Sequence, residues 1–219
     1  MRKVQRRKIH TKASGVGLGR GKAPKRKNVS IKSIATTNFT KVLSLDPSSH
    51  SLGWAVIEMG LRQPRLIKCG KIKFPKSPEM HIKFEAINDG IDKICKEYKP
   101  NHCVIEQSVY IQNFQTSRII SYIIGYSWGV SQKYCTKVID INPMIWKRGI
   151  GYKNLSKDDK EHFLTEASRK KERKDRVRDI ITGYFPMTDE DLEDDDIVDA
   201  IGIGLWYDLM LRKNGSRTV

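Results

Sequence analysis

Four acidic side chains stand where apolar runs of this sequence meet turns or open a helix. Asp46 closes the run VLSLD just before Pro47, Ser48, Ser49 and His50. Glu106 closes the run CVIEQ, and Asp196 and Asp199 open the apolar stretch IVDAIGIG. Bounded apolar runs flanked by turn residues read as strands, so Asp46 and Glu106 belong at the rim of a sheet. A turn-capping role is the plain alternative for Asp46. A carboxylate that ends a buried strand is costly unless paired or coordinating, which singles out Glu106. Oxygen donors of this kind suit hard divalent cations such as Mg²⁺ or Mn²⁺. Four of them together repel unless cations neutralise them. The chemistry this suggests is a two-metal site, with ions ~3.5–4 Å apart on either side of a phosphodiester. Asp196 pairs with Asp199 at i, i+3, and Asp195 competes for the same role at i, i+4. The remaining acids among the eight in residues 189–199 read as a solvated loop and helix start, favoured there by the helix dipole.

The elements that must position these residues follow from periodicity and punctuation. Three strands, Thr40–Asp46, Ser51–Met59 and Arg65–Phe74, are joined by connections short enough to force an antiparallel meander. Residues 79–98 carry Ile82, Phe84, Ile87, Ile91 and Ile94 at helical spacing and end at Lys99 and Pro100. A fourth strand, His102–Gln107, precedes a longer helix over Asn113–Tyr134, and a fifth strand, Lys137–Asn142, stops at Pro143. From Ser156 the chain reads helical, opened by a capping-box-like SKDD. Residues 169–178 then hold seven basic residues and two acids. After a break over Gly183–Pro186, a last helix spans Asp195–Arg212. The order implies an α/β fold, a five-stranded mixed sheet with helices on both faces. If the first and fourth strands are parallel neighbours, Asp46 and Glu106 share one rim, and the last helix can bring Asp196 and Asp199 to it.

Charge divides the chain. Of 41 Lys and Arg, 12 lie in residues 1–40, which hold no acid; the remainder carries 29 basic against 25 acidic residues. Residues 1–38 read as a disordered basic arm, 39–213 as the folded domain and 214–219 as a short tail. The arm, including Arg26 and Lys27, suits a polyanion, with nucleic acid ahead of anionic membrane or a targeting role. Its GVGLGRG run is no phosphate loop, because no strand precedes it and no helix follows it. No run approaches the ~20 apolar residues of a membrane span. The four cysteines show no metal-binding spacing and read as reduced core residues in a reducing, cytoplasmic setting.

The segments LSLDPSSHSLGWAVI, CVIEQSVYIQN, the helix with Gly125 and Gly129, and DIVDAIGIG resemble the motifs of RuvC-type Holliday junction resolvases, in the ribonuclease H-like superfamily. The resemblance covers about residues 41–210. It implies a ribonuclease H-like fold, with Asp46, Glu106, Asp196 and Asp199 as ligands of two Mg²⁺ or Mn²⁺ ions. It also implies that Lys147, with Arg148 beside it, and Lys157 lie near the scissile region, and that Tyr110 takes the junction-opening aromatic position. A homodimer cutting four-way DNA junctions in pairs is implied too, with the helix at 113–134 as the shared face. The chain departs from the family at Ser48, where Gly is usual, in the basic run 169–178, and in the long arm. Rival readings are another ribonuclease H-like nuclease acting on branched DNA or RNA–DNA hybrids, and a non-catalytic nucleic-acid-binding relative. An actin-like ATPase fits less well, because it needs two such domains.

Overall fold

The computed structural model describes residues 40–60, 62–77, 79–108 and 113–215. The basic arm with Arg26 and Lys27, and Tyr110, therefore lie outside the described residues. Five strands, β1 (Thr40–Pro47), β2 (Ser51–Met59), β3 (Arg65–Lys73), β4 (His102–Glu106) and β5 (Lys137–Ile141), form one sheet in the order β3-β2-β1-β4-β5. β1 pairs antiparallel with β2 and parallel with β4, so Asp46 sits opposite Gly53 and Leu45 aligns with Ile105. One residue further along both parallel strands come Asp46 and Glu106, at the shared rim.

Two helical layers cover the sheet. On one face lie α1 (Met80–Tyr98) and α2 (Phe114–Ser131), packed over Leu43, Leu45, Leu52, Val56, Cys103 and Ile105. The other face carries α3 (Pro143–Gly149), α5 (Glu166–Tyr184) and α7 (Asp195–Gly215), packed over Val42, Ala55, Ile57 and Val104. The short α4 (Lys157–His162) and α6 (Asp189–Glu193) complete the chain order. The central strand β1 is buried on both faces, which is why it reads as an almost continuous apolar run.

Because strand side chains alternate between faces, the core assignments fix where the rim acids point. Val42 belongs to the α7 face, so Asp46, two steps of alternation later, belongs there too. Val104 places Glu106 on that face, and Cys69 places Lys71 on it. Ala55 does the same for Gly53. All the polar rim positions that matter therefore look toward one helix.

α7 comes unusually close to the sheet at two glycines. A Cβ at Gly204 would lie 2.9 Å from Ser44 Oγ, and one at Gly53 only 2.1 Å from the Asp196 carbonyl oxygen. These two missing side chains let the helix lie down on β1 and β2 with its amino terminus at the rim.

The strands and the two helices of the α1/α2 face fall within a few residues of the sequence reading. On the α7 face the sequence reading misses two elements. Residues 143–149 form a helix, capped by Asn142 with Pro143 in its first turn. Residues 189–193 form a short helix capped by Thr188 instead of an irregular acidic loop. The single helical stretch from Ser156 is split into α4 and α5, each opened by its own capping box. The last helix continues to Gly215, past the end expected at Arg212. The four cysteines are buried free thiols.

Candidate active site

β1 and β4 each bring one acid to the rim, and α7 brings the rest. Asp46 follows the last buried residue of β1, where the chain turns at Pro47. That turn does not need the glycine usual at position 48. The Ser48 hydroxyl accepts from Ser51 N at 3.1 Å and Ser48 N donates to Ser51 O at 2.9 Å, closing the loop. Among the described non-glycine residues only Lys99 has a positive φ, so Ser48 is unstrained.

Asp46, Glu106 and Asp199 form an electrostatically connected group. Burial holds the Asp46 carboxyl well above the usual range, and Glu106, Asp199 and Asp196 raise it further against the pull of Lys147. Burial pushes Glu106 up to about 7, with Asp199 adding to the rise; a hydrogen bond from Trp146 and the charge of Lys147 work the other way. Asp199 is raised by burial and by Asp195 and Asp196, while Lys147 opposes the rise. Lys147 offsets the negative charge of these three carboxylates, but only in part.

α3 supplies the groups that face them. The fully buried Trp146 donates its indole N–H to Glu106 Oε2. Lys147 Nζ lies 3.1 Å from Asp199 Oδ2 and 4.8 Å from the Trp146 ring centroid. Burial disfavours the Lys147 ammonium, yet Asp199 and Glu106 hold it above its ordinary value. Of the lysines the sequence singled out, Lys147 is thus brought to the cluster. Lys157 is exposed at the start of α4 and, among the described residues, makes no ion pair with these acids; Arg148 is exposed in the last turn of α3 and likewise pairs with none of them.

The neighbours Asp195 and Asp196 part company. Asp195 turns to α5, where Lys174 and Arg178 bind one oxygen each, the Arg178 contact at 2.6 Å. Asp196 turns to the sheet: its Oδ2 accepts from Ser51 Oγ at 2.6 Å and lies 2.9 Å from Lys71 Nζ. Lys71 also binds Asp194 at 2.6 Å. Both oxygens of Asp195 are taken up by cations, whereas Asp196 is held through Oδ2 by Ser51 and Lys71.

Trp146, Ser51, Lys71, Lys174 and Arg178 were not marked in the sequence as site residues. Alternation from Cys69 would have found Lys71, and the Asn-Pro helix start would have found Trp146 one turn later. Ser51 and the two α5 cations carry no local signal. Among the described residues, no three His, Cys, Asp or Glu groups are drawn close enough to enclose an ion. Instead, Lys147, Lys71, Trp146 and Ser51 hold individual carboxylates.

A mixed sheet in the order β3-β2-β1-β4-β5, with acids at the β1 and β4 rim met by an acidic helix start, defines a ribonuclease H-like fold. The family model for "Crossover junction endodeoxyribonuclease RuvC" matches residues 42–130, which hold Asp46, Glu106 and most of α2. The crossover junction endodeoxyribonuclease RuvC of Rickettsia akari is 31% identical over 124 residues, 56% of this chain and 79% of the relative. That of Rickettsia massiliae is 25% identical over 174 residues, 79% of this chain and 98% of the relative. The chain belongs to the RuvC family. Among solved structures, Thermus thermophilus RuvC in complex with a Holliday junction substrate aligns with TM-score 0.62 at 14% identity, covering 80% of this chain and 96% of that one. The yeast mitochondrial Holliday junction resolvase aligns with TM-score 0.54 at 10% identity, over 82% and 84%. At these identities the two structures speak for the fold.

Proposed function

We propose that the protein is a metal-dependent endonuclease that resolves four-way DNA junctions. The observation that carries this reading is the group Asp46, Glu106 and Asp199, three half-buried, mutually repelling carboxylates where α7 meets one rim of a RuvC-family sheet. Their donor set is oxygen only, which fits Mg²⁺ or Mn²⁺. Asp46, Glu106, Asp196 and Asp199 would hold two such ions, and Asp195 is left out because α5 engages it. Bound there, the ions supply an activated water and charge stabilisation for the leaving oxygen.

The chain's own residues have separable tasks. Trp146 fixes one oxygen of Glu106. Ser51 and Lys71 occupy Oδ2 of Asp196, so its other oxygen is the one left for an ion; hydrogen-bonded ligands of this kind are oriented before metal arrives. Lys147 is the cation nearest the reacting region and is placed to meet the phosphate. Lys157, Arg148, Tyr110 and the arm with Arg26 and Lys27 are assigned to the DNA further out. Among the described helices none is long and apolar enough to cross a membrane.

Paired cutting calls for a homodimer. Support comes from α2, whose outer surface exposes Phe114 (73%) and Tyr122 (50%). An added Cβ at Gly125 or Gly129 would meet nothing within 4 Å, so a second copy can approach the helix backbone there. Ile124 packs partly on its own core, so Tyr122 is the better position to disrupt.

The test is cleavage by the full chain of a four-way junction, a flap and an RNA–DNA hybrid, with Mg²⁺, Mn²⁺ or chelator. Paired nicks confined to the junction and dependent on metal are expected. Equal cutting of the hybrid would favour a general ribonuclease H-like nuclease, and binding without cutting at any metal concentration would leave a non-catalytic relative.

A further inference from the structure

α5 is the most basic described helix, and nothing in the function proposed above uses it. Its residues Lys170, Arg173 and Lys174 form one wall of a cleft of about 310 Å³. Lys147, Asp195 and Asp199 line the same cleft. The cleft is therefore continuous with the carboxylate group through Asp199.

The charge balance inside it is uneven. Asp199 is paired with Lys147, and Asp195 with Lys174 and Arg178. That leaves Lys170, exposed and without an ion pair among the described residues, and Arg173, whose partner Glu166 is itself 72% exposed. Positions 170, 173 and 174 share one helix face by spacing. Asp195 has a clear part in this arrangement. By binding Lys174 and Arg178 it ties the middle of α5 to the amino terminus of α7 and holds the basic ridge beside the site.

We infer that Lys170 and Arg173 on α5 form a phosphate-binding ridge for the nucleic-acid strand that runs on from the carboxylate cluster. The inference rests on the nuclease reading given above. The ligand class is the phosphodiester backbone, because the ridge offers cations spaced along a helix and contacts of that kind position a strand without reading its bases. The basic run that departs from the family pattern is thus an added arm of the substrate site.

The test compares the full-length protein with Lys170→Ala/Arg173→Ala in binding a four-way junction in Ca²⁺ across a salt series. Each phosphate contact contributes about −0.9 to the slope of log K against log salt, so losing two should flatten the slope by about 2. Relative to a 1 M salt reference, where counterion release contributes nothing, affinity at ~0.1 M salt should fall about 60-fold. A Lys170→Arg/Arg173→Lys variant should keep the slope. A Lys93→Ala/Lys133→Ala variant, exposed and on the α1/α2 face, should also keep it. An unchanged slope in the α5 pair, with wild-type binding and nicking intact, overturns the ridge alone. An equal loss in the Lys93/Lys133 pair overturns it as well, by reducing the effect to overall charge. A wild type that neither binds nor nicks the junction removes the nuclease reading and the ridge together. Should the double variant unfold, Lys170→Ala alone, with half the slope change, replaces it.

Discussion

The two faces of this sheet are built from the same five strands and do different things. Under α1 and α2 the strands present Leu43, Leu45, Val56 and Ile105, and the layer is apolar packing with buried thiols. Under α7 the alternate positions of the same strands carry Val42, Ala55 and Val104 and then, at the rim, Asp46, Glu106 and Lys71. The first face exists to exclude water. The second excludes water up to its edge and then holds charges there, at the cost visible in their raised pKa values. What separates the faces is one step of strand alternation and two glycines that let α7 approach. Substitutions at the α7-face rim should therefore act on chemistry, and those buried beneath α1 and α2 only on stability.

Away from the acids themselves, the largest effect belongs to Gly53. In Gly53→Ala the new methyl would overlap the Asp196 carbonyl, so the start of α7 must lift from β2. A misplacement of ~1 Å costs about 100-fold in cleavage, and the overpacking costs about 3 kcal/mol. Nicking assays and thermal unfolding read the two together; wild-type nicking from this variant would break the link between helix approach and chemistry. On the other face, Ile91→Ala empties a fully buried position. It should destabilise by about 3 kcal/mol in denaturant titration, with cleavage per folded molecule unchanged. A selective loss of cleavage there would blur the contrast between the faces.

The pH response sharpens it further. A carboxyl whose folded pKa lies above its unfolded one binds more protons when folded, so stability falls as pH rises between the two values. For Glu106 that window runs from 4.5 to about 7. Asp46 and Asp199 act in the same direction. Metal-free protein should lose on the order of 2 kcal/mol between pH 4.5 and 7, and Glu106→Gln should lose less. Unfolding in chelator that is flat or more stable toward pH 7 would contradict the raised values. The smallest effect is at Lys71, whose ammonium is shared by Asp194 and Asp196. Lys71→Met should cost about 1 kcal/mol in chelator, since it leaves two partly exposed carboxylates uncompensated, and less in Mg²⁺. Equal losses in chelator and Mg²⁺ would remove any link between Lys71 and metal.

The difference between the faces also explains what could be read in the sequence. The α1/α2 face was legible because packing leaves a period: Ile87, Ile91 and Ile94 announce α1, and the apolar runs announce β1 and β4. The rim acids were legible for the same reason, as breaks in those runs. On the α7 face the helices α3, α4 and α6 are five to seven residues long, too short to show a period, and only their caps mark them. The cap signals were present at Asn142, Ser156 and Thr188, but only the one at Ser156 stood next to an obvious helix. Strand alternation points to Lys71, but Ser51 on β2 and the α5 partners of Asp195 were illegible, because adjacent residues of similar type give no hint of facing different elements. The basic arm and Tyr110 lie outside the described residues, so their proposed roles in DNA binding rest on the sequence.

The most direct measurement replaces the rim acids one at a time with their isosteric amides, Asp46→Asn, Glu106→Gln and Asp199→Asn, and follows junction binding and cleavage across a Mg²⁺ or Mn²⁺ titration. Each change removes one oxygen donor for metal and one negative charge facing phosphate. Cleavage should fall by about 1,000-fold or more at every metal concentration, an effect on the scale of ~4 kcal/mol, while binding in Ca²⁺ is unchanged or tighter. Asp196→Asn should lose more than Asp195→Asn at limiting Mn²⁺. Wild-type cleavage rates from any of the three rim variants, with the fold intact, would contradict the assignment of this group as the catalytic centre.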